Sequence, residues 1–236
     1  MLDKTSDHSA STEQHSVLDL LSNPSLRAQR KTVAAGTVIY EPDSASNHLY
    51  FVESGQVRVY QVGPSDYGRL LEILGPNDWF GVAALAKQSH HGLRAVAAST
   101  AVVWEVPAEA LMNLLPTRPL AMLDLIKRLA TKFQTAVDEA GELVFDDCNR
   151  RLIKTLVRFS HTVAASPQEN GVVLRITHEQ LAQAVGVARE TVSLALTQLR
   201  RQNLLRTGRN QLFFDPDALK NFADRLKNHA EPQHAN

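Results

Sequence analysis

Arg189 and Glu190 stand where a helix can begin, and their side chains have the chemistry to read DNA base edges. An arginine there can make a bidentate contact to guanine O6 and N7, worth about 1–3 kcal/mol of discrimination. A neighbouring glutamate can accept from the cytosine N4 amino group. Ser193 and Leu194, one turn further on, complete the candidate base-reading set. Thr177, Thr191, Arg200, Arg206 and Arg209 are the candidate phosphate contacts, which position a protein on the duplex without reading its sequence. For Arg200 and Arg201 a solvated helix end is the competing interpretation.

Such residues need a scaffold, and residues 176–201 encode one. Thr177 can cap a helix, and Gln180, at the third helical position, completes a capping box. Leu181, Ala184 and Val185 give that helix one apolar face. Gly186 interrupts the pattern where a sharp bend needs positive φ. A second helix from about Ala188 buries Val192, Ala195, Leu196 and Leu199. Two short helices about a glycine turn, the second polar on its outer face, describe a DNA-binding helix-turn-helix. Leu204 to Phe214 then reads as a hairpin with a basic tip, a wing.

The totals bound the rest. A chain of 236 residues, 44% apolar, suits one large or two ordinary domains with real cores. Its formal net charge of zero hides an asymmetry. Residues 1–145 hold 12 Lys/Arg against 16 Asp/Glu, and residues 146–236 hold 13 against 9. An acidic half joined to a basic half assigns the polyanion to the second half. Cys148 is the single cysteine, so no intrachain disulfide forms, and an iron–sulfur cluster would need about four. These features point to a reducing, cytoplasmic compartment. No apolar run approaches a membrane span, and the first sixteen residues lack the apolar stretch of a signal peptide. They read as a disordered tail.

Between tail and reader lie short β-type runs separated by turn residues: Thr37–Tyr40, Leu49–Val52, Val57–Val62, Leu70–Leu74 and Ala95–Val106. Gly75-Pro76-Asn77-Asp78 is a turn. Many short strands at even spacing predict a small barrel or jelly roll. A long helix follows, in which Leu123, Ile126, Ala130, Phe133, Val137, Ala140 and Val144 step by alternating threes and fours. That period over about three heptads favours a partner helix, most simply from a second copy, over packing on its own barrel. After Phe145–Cys148 come a helix over 150–164, a loop over 166–171 and a strand over 172–176. The C-terminus is expected to fray from about Lys227.

Tyr50-Phe51-Val52-Glu53-Ser54-Gly55-Gln56-Val57-Arg58-Val59-Tyr60, with Leu74-Gly75-Pro76-Asn77-Asp78-Trp79-Phe80-Gly81, resembles the cyclic-nucleotide-binding jelly roll. Residues 20–220 together resemble the CRP/FNR superfamily of bacterial transcription regulators. Ala188-Arg189-Glu190-Thr191-Val192-Ser193 ahead of Leu199 and Asn203-Leu204-Leu205 is the most specific match. The resemblance implies an α+β fold: a sensor β-roll over 17–118, a dimerisation helix over 119–145, a winged helix-turn-helix over 146–220 and a tail over 221–236. It also implies a homodimer on palindromic double-stranded DNA with TGTGA-like or TTGA-like half-sites, and contact with RNA polymerase, for which Ser166–Gly171 is the candidate surface. Ser193 is similar to the FNR-like branch. Leu194 departs from the arginine common in the family, and a thymine methyl contact can take its place.

In nucleotide-binding members the resemblance places a glutamate after a glycine, an Arg-Ser or Arg-Thr pair, and polar residues on the long helix. Here Val82 follows Gly81, Gly92-Leu93 fill the Arg-Ser position, and Ala136-Val137 replace the polar helix residues. A buried phosphate without an arginine is costly, so cyclic AMP in its usual pose is not expected. The candidate effector pocket is Gly81, Val82, Arg94, Phe133 and Val137, with Arg94 as the remaining anion contact. Phe80-Gly81-Val82 is similar to members that sense 2-oxoglutarate. His90-His91 reads as a polar surface loop, with a single axial haem ligand as the alternative. Cys148 reads as packing, with hinge oxidation as the alternative. No cofactor or metal site is assigned.

Enzyme motifs are missing. His178-Glu179 lacks a zinc-protease partner because Ala182 stands at the second histidine position, and no phosphate loop or nucleophile elbow is present. The expectation is a regulator without catalysis. A ligand-independent factor and a ligand-binding module without DNA are the alternatives.

Overall fold

The computed structural model describes residues 17–63, 68–86 and 90–230. The tail expected over 1–16 therefore lies outside the described residues. The chain divides into two compact units, Met1–Val59 with Leu74–Gln134, and Tyr60–Ile73 with Thr135–Asn236.

After a short helix α1 (residues 17–21) come eight strands: β1 (Gln29–Val33), β2 (Val38–Tyr40), β3 (His48–Ser54), β4 (Val57–Val62), β5 (Gly68–Leu74), β6 (Trp79–Phe80), β7 (Arg94–Ala97) and β8 (Ala101–Pro107). They form two four-stranded sheets, ordered β1-β8-β3-β6 and β2-β7-β4-β5. This is the jelly roll expected from the short, evenly spaced β-type runs. Period-two patterning holds where the sequence shows it, with Val57 and Val59 of β4 buried and Arg58 between them partly open. The core splits in two. Tyr40, Tyr50, Val52, Phe80, Ala95 and Val103 pack in one cluster. Leu49, Phe51, Trp79 and Val106 pack with α2 (Ala108–Leu114) in the other.

Two turns show why their residues are there. In Gly75-Pro76-Asn77-Asp78, proline sets the first corner and Asn77 takes the second at φ 75°. The Asp78 carboxylate accepts from the Gly75 N–H at 2.8 Å. Arg128, on the long helix α3 (Pro119–Phe145), donates to the Asn77 carbonyl at 3.2 Å, seating that part of the helix on the turn. Gly55 joins β3 to β4 at φ 85°, and a Cβ there would lie 2.4 Å from the Thr100 carbonyl oxygen.

The second unit holds α4 (Cys148–Phe159), β9 (Ala165–Gln168), β10 (Gly171–Leu174), α5 (His178–Val185), α6 (Arg189–Arg201), β11 (Leu205–Gly208), β12 (Gln211–Phe214) and α7 (Pro216–Ala230). Its sheet runs β11-β12-β10-β9. Asp147 caps α4, its carboxylate accepting from the Arg150 N–H at 2.8 Å. Asp146 is buried and neutralised by Arg150 at 3.1 Å and Lys154 at 2.6 Å. Arg158 of α4 pairs with Glu139 of α3 at 2.8 Å, tying the two helices across the Phe145–Cys148 break.

Three expected boundaries are corrected. The helix predicted over 150–164 starts at Cys148 and stops at Phe159. Ser160 and Thr162 hydroxyls donate to the Val157 and Phe159 carbonyls and close its last turn. The loop expected at 166–171 is largely the hairpin β9–β10; Pro167 is tolerated because β9 is an edge strand with no donor required there. The tail placed at 221–236 begins as structured helix. Pro216 opens α7 beneath Asp215, which accepts from the Asp217 N–H at 2.9 Å, and Leu219 and Ala223 are buried against the reader core. Among the described residues no helix is long and apolar enough to cross a membrane.

Gly36 also has positive φ, but nothing lies within 4 Å of a Cβ built there. Gly36→Ala should therefore cost only the left-handed penalty, about 1–2 kcal/mol. Gly55→Ala should cost clearly more, because the Thr100 carbonyl must also move. Urea unfolding of both variants checks the order.

Candidate DNA interface and sensor pocket

The helix-turn-helix is assembled as its sequence dictates. The Gln180 N–H donates to the Thr177 hydroxyl oxygen at 3.1 Å, and the Thr177 N–H donates to the Gln180 side-chain oxygen at 3.0 Å. The capping box is thus complete at the start of α5. Gly186 ends α5 at φ 78°, its N–H returning to the Ala182 carbonyl at 2.8 Å. Val192, Ala195, Leu196 and Leu199 of α6 are all buried, fixing which face of α6 is presented outward.

On that outer face Arg189, Glu190, Thr191, Leu194, Arg200 and Arg201 are exposed. Ser193 differs. It is half-buried, its hydroxyl donates to the Arg189 carbonyl at 2.9 Å, and His178 Nδ1 approaches the same oxygen at 3.0 Å. A hydroxyl has one hydrogen, so Ser193 can offer a base only an acceptor, and Nδ1 must carry the proton shared with it. Ser193 ties the start of α6 to the start of α5. The role was not legible in sequence because it depends on His178, fifteen residues away.

The wing follows from a helix end. Asn203 sits at φ 59°, its N–H bonds the Arg200 carbonyl, and the Leu204 N–H reaches back to Leu199, both at 3.0 Å. That is a Schellman closure with asparagine in glycine's usual place. It turns the chain directly into β11. Arg206 lies over the Phe213 ring, 4.2 Å from its centroid. Arg209, at the hairpin tip, and Thr207 are exposed. Thr177 is half-buried at the α5 start. The candidate base and phosphate residues therefore share one unit, on α5, α6 and the wing.

Along α3 the seam residues Leu123, Ile126, Ala130, Phe133, Val137 and Ala140 are exposed, Phe133 by 71%. The Val144 side chain lies outside the described residues. On the same helix Leu125 is buried against α2 and the roll. The helix thus has one face covered by its own chain and another, heptad-spaced face uncovered.

In the roll, Gly81 is buried at φ 72°, and a Cβ there would lie 2.8 Å from the Tyr50 ring. Val82 opens a short 3₁₀ turn, Val82–Ala86. Arg94, expected as a remaining anion contact, has its Nε 2.7 Å from the Glu41 carboxylate. Phe133 and Val137 belong to the uncovered face of α3 and are exposed. The surface-loop reading of His91 is corrected. His90 is exposed, but His91 is 5% exposed and stacks on Tyr40 at 3.9 Å between centroids. Tyr50 and Phe80 complete the aromatic group, 5.1 Å apart. Neither His91 ring nitrogen has a hydrogen-bond partner among the described residues.

Burial, and secondarily the nearby His48, holds the His91 ring below histidine's ordinary titration range. Burial and the Glu105 charge push the Tyr50 hydroxyl up to about 12, so it stays protonated. Burial also raises the Cys148 thiol, which keeps thiolate scarce and works against the oxidation alternative. No cluster of three potential metal-ligating side chains occurs among the described residues.

Because the folded state favours neutral His91, its contribution to stability is present above histidine's ordinary value and is lost as pH falls below it. The midpoint of thermal unfolding should drop between pH 7 and pH 5. His91→Phe, which keeps the stack, should flatten that drop. An unchanged pH profile in the variant would contradict the assignment.

Comparison with known proteins agrees with this geometry. Residues 30–118 match the cyclic nucleotide-binding domain family, and residues 150–222 match the Crp-like helix-turn-helix domain family. Over 189 residues the chain is 28% identical to the CRP-like cAMP-activated global transcriptional regulator of Mycobacterium tuberculosis, spanning 78% of this chain and 83% of that protein. It is 27% identical over 176 residues to the cAMP-activated global transcriptional regulator CRP of Salmonella typhimurium, spanning 74% and 83%. A CRP/FNR-family transcriptional regulator from Thermus thermophilus superposes with a TM-score of 0.70 at 29% identity, over 83% of this chain and 98% of that one. The c-di-GMP responsive global regulator of Xanthomonas campestris shares the fold, with a TM-score of 0.71 at 22% identity, over 80% and 94%. With a nucleotide-binding-type roll, a long helix and a Crp-like reader in that order, the chain belongs to the CRP/FNR family of DNA-binding transcriptional regulators.

Proposed function

We propose that two copies of this chain pair along α3 and bind an inverted-repeat operator, each presenting α6 to a major groove. The uncovered heptad face of α3 carries this reading, because it is apolar, regular and left exposed among the described residues. Arg189 and Glu190 read base edges, and Arg206, Arg209, Arg200, Thr191 and Thr177 hold the backbone. Arg206 is pre-positioned by Phe213. RNA polymerase is the proposed protein partner, and the exposed tip of β9–β10 at Gln168, Glu169 and Asn170 is the proposed contact.

The proposed signal is a small molecule in the roll, other than the cyclic AMP that activates the named relatives. Val82, Gly92, Leu93, Ala136 and Val137 supply none of the charged or polar contacts a cyclic nucleotide phosphate and base need, and Arg94 is held by Glu41. A 2-oxo acid is the class to test first. The packing of His91 in an aromatic stack speaks against it as a haem ligand, and a single cysteine speaks against an iron–sulfur cluster. A factor controlled by its own abundance is the second reading, favoured by the aromatic filling of the roll. We propose no catalytic role.

Footprinting on a random-sequence library should recover an inverted repeat, and asymmetric or sequence-independent protection would contradict the proposal. Arg189→Ala should relax preference at one guanine. Arg206→Ala should weaken all sequences alike and reduce the salt slope by about one. Phe133→Asp should leave each chain folded but shift sedimentation to monomer, with operator affinity reduced roughly a hundredfold or more, as dimer avidity of that order is lost.

A further inference from the structure

We infer that Leu194 is a specificity-determining residue that reads the 5-methyl group of one thymine in each half-site. The inference rests on the reading of this chain as a sequence-specific DNA binder. Leu194 is 68% exposed, although the rest of α6 sorts its apolar side chains inward. Successive residues of a helix turn by about 100°. The buried Val192, Ala195, Leu196 and Leu199 therefore share one side, and Glu190, Leu194 and Arg201 lie nearly opposite it. Glu190 and Leu194 are one turn apart on the same outward line. The apolar side chain thus stands in the row that faces the groove.

Its surroundings fix the occupant. Glu190, Thr191 and Arg201 share its side of the helix, Arg189 and Arg200 stand at the edges of that side, and all five are exposed. Such a charged border suits a phosphate-walled groove and not an apolar protein surface. In that groove the thymine methyl is the one apolar group a base pair presents. Ser193 is half-buried with its only hydrogen given to the Arg189 carbonyl, so it does not compete for this position. Leucine has no donor or acceptor, so a cytosine amino group or a guanine acceptor opposite it would lose water without compensation. The residue selects by attraction to the methyl and by penalty against polar edges.

The test uses the full chain and an operator selected from a random duplex library. Each thymine is replaced in turn by deoxyuridine, which removes the methyl and keeps the pairing. Wild-type protein should lose roughly fourfold in affinity at one thymine per half-site, and roughly fifteenfold when both symmetric positions are changed, taking about 0.8 kcal/mol per buried methyl. At a cytosine placed there, 5-methylation should recover a similar factor. Leu194→Ala should bind thymine and uracil duplexes alike at that position while keeping the wild-type unfolding temperature, as an exposed site allows. An operator in which no thymine methyl matters, or a methyl effect that survives in Leu194→Ala, overturns the inference. A library that yields no preferred sequence overturns the sequence-specific reading itself, and the inference with it.

Discussion

The uncovered apolar face of α3 is the constraint from which the rest follows. Phe133 and Leu123 are too large and too regularly placed to be left in water without consequence. Each fully buried side chain of that size is worth about 1.5–3 kcal/mol. A second, identical seam covers all of them at once, because a two-fold pairing matches each residue with the same surface on the partner. In the proposed pairing, the operator's symmetry is a consequence of helix packing. The reader gains affinity because two half-sites are joined at high effective concentration.

Within each reader, rigidity comes from local backbone satisfaction rather than from size. The capping box at Thr177, left-handed Gly186 and the Schellman closure at Asn203 each satisfy groups that helix ends leave open. They fix where α6 begins and where β11 leaves it. The His178–Ser193–Arg189 link joins the first residues of both helices. Arg189 is thereby presented from a backbone held at two points, which limits the freedom lost when it meets a base. The roll is built differently. Tyr40, Tyr50, Phe80 and His91 fill it with packed rings, and Arg94 pairs with Glu41.

Much of this was legible in the sequence, for identifiable reasons. The capping box, the glycine turn and the buried stripe of α6 depend on neighbours within a few residues, so spacing alone specified them. A single period marks 123–144 as one long helix, within the observed Pro119–Phe145. What escaped was either long-range or masked by composition. His91 looks polar beside His90, and only the fold brings it over Tyr40, fifty-one residues earlier. The link from Ser193 to His178 could not be read until the fold placed the two side by side. β9 was hidden by Pro167, which an edge strand accepts. α7 carried its signal openly, with Asp215-Pro216 as a start and Leu219, Phe222 and Ala223 at helical spacing. The roll carries packed rings where a diagnostic charged set would have been legible in the sequence.

In the proposed dimer, pairing along α3 sets two copies of α6 one DNA turn apart. The most direct measurement places a spin label on exposed Gln198 of α6, with Cys148→Ser removing the native thiol, and reads the label-to-label distance on the operator. A single narrow distribution near the roughly 34 Å separation of successive major grooves is the expected result. No dipolar coupling, or a broad distribution unchanged by adding operator, would contradict it.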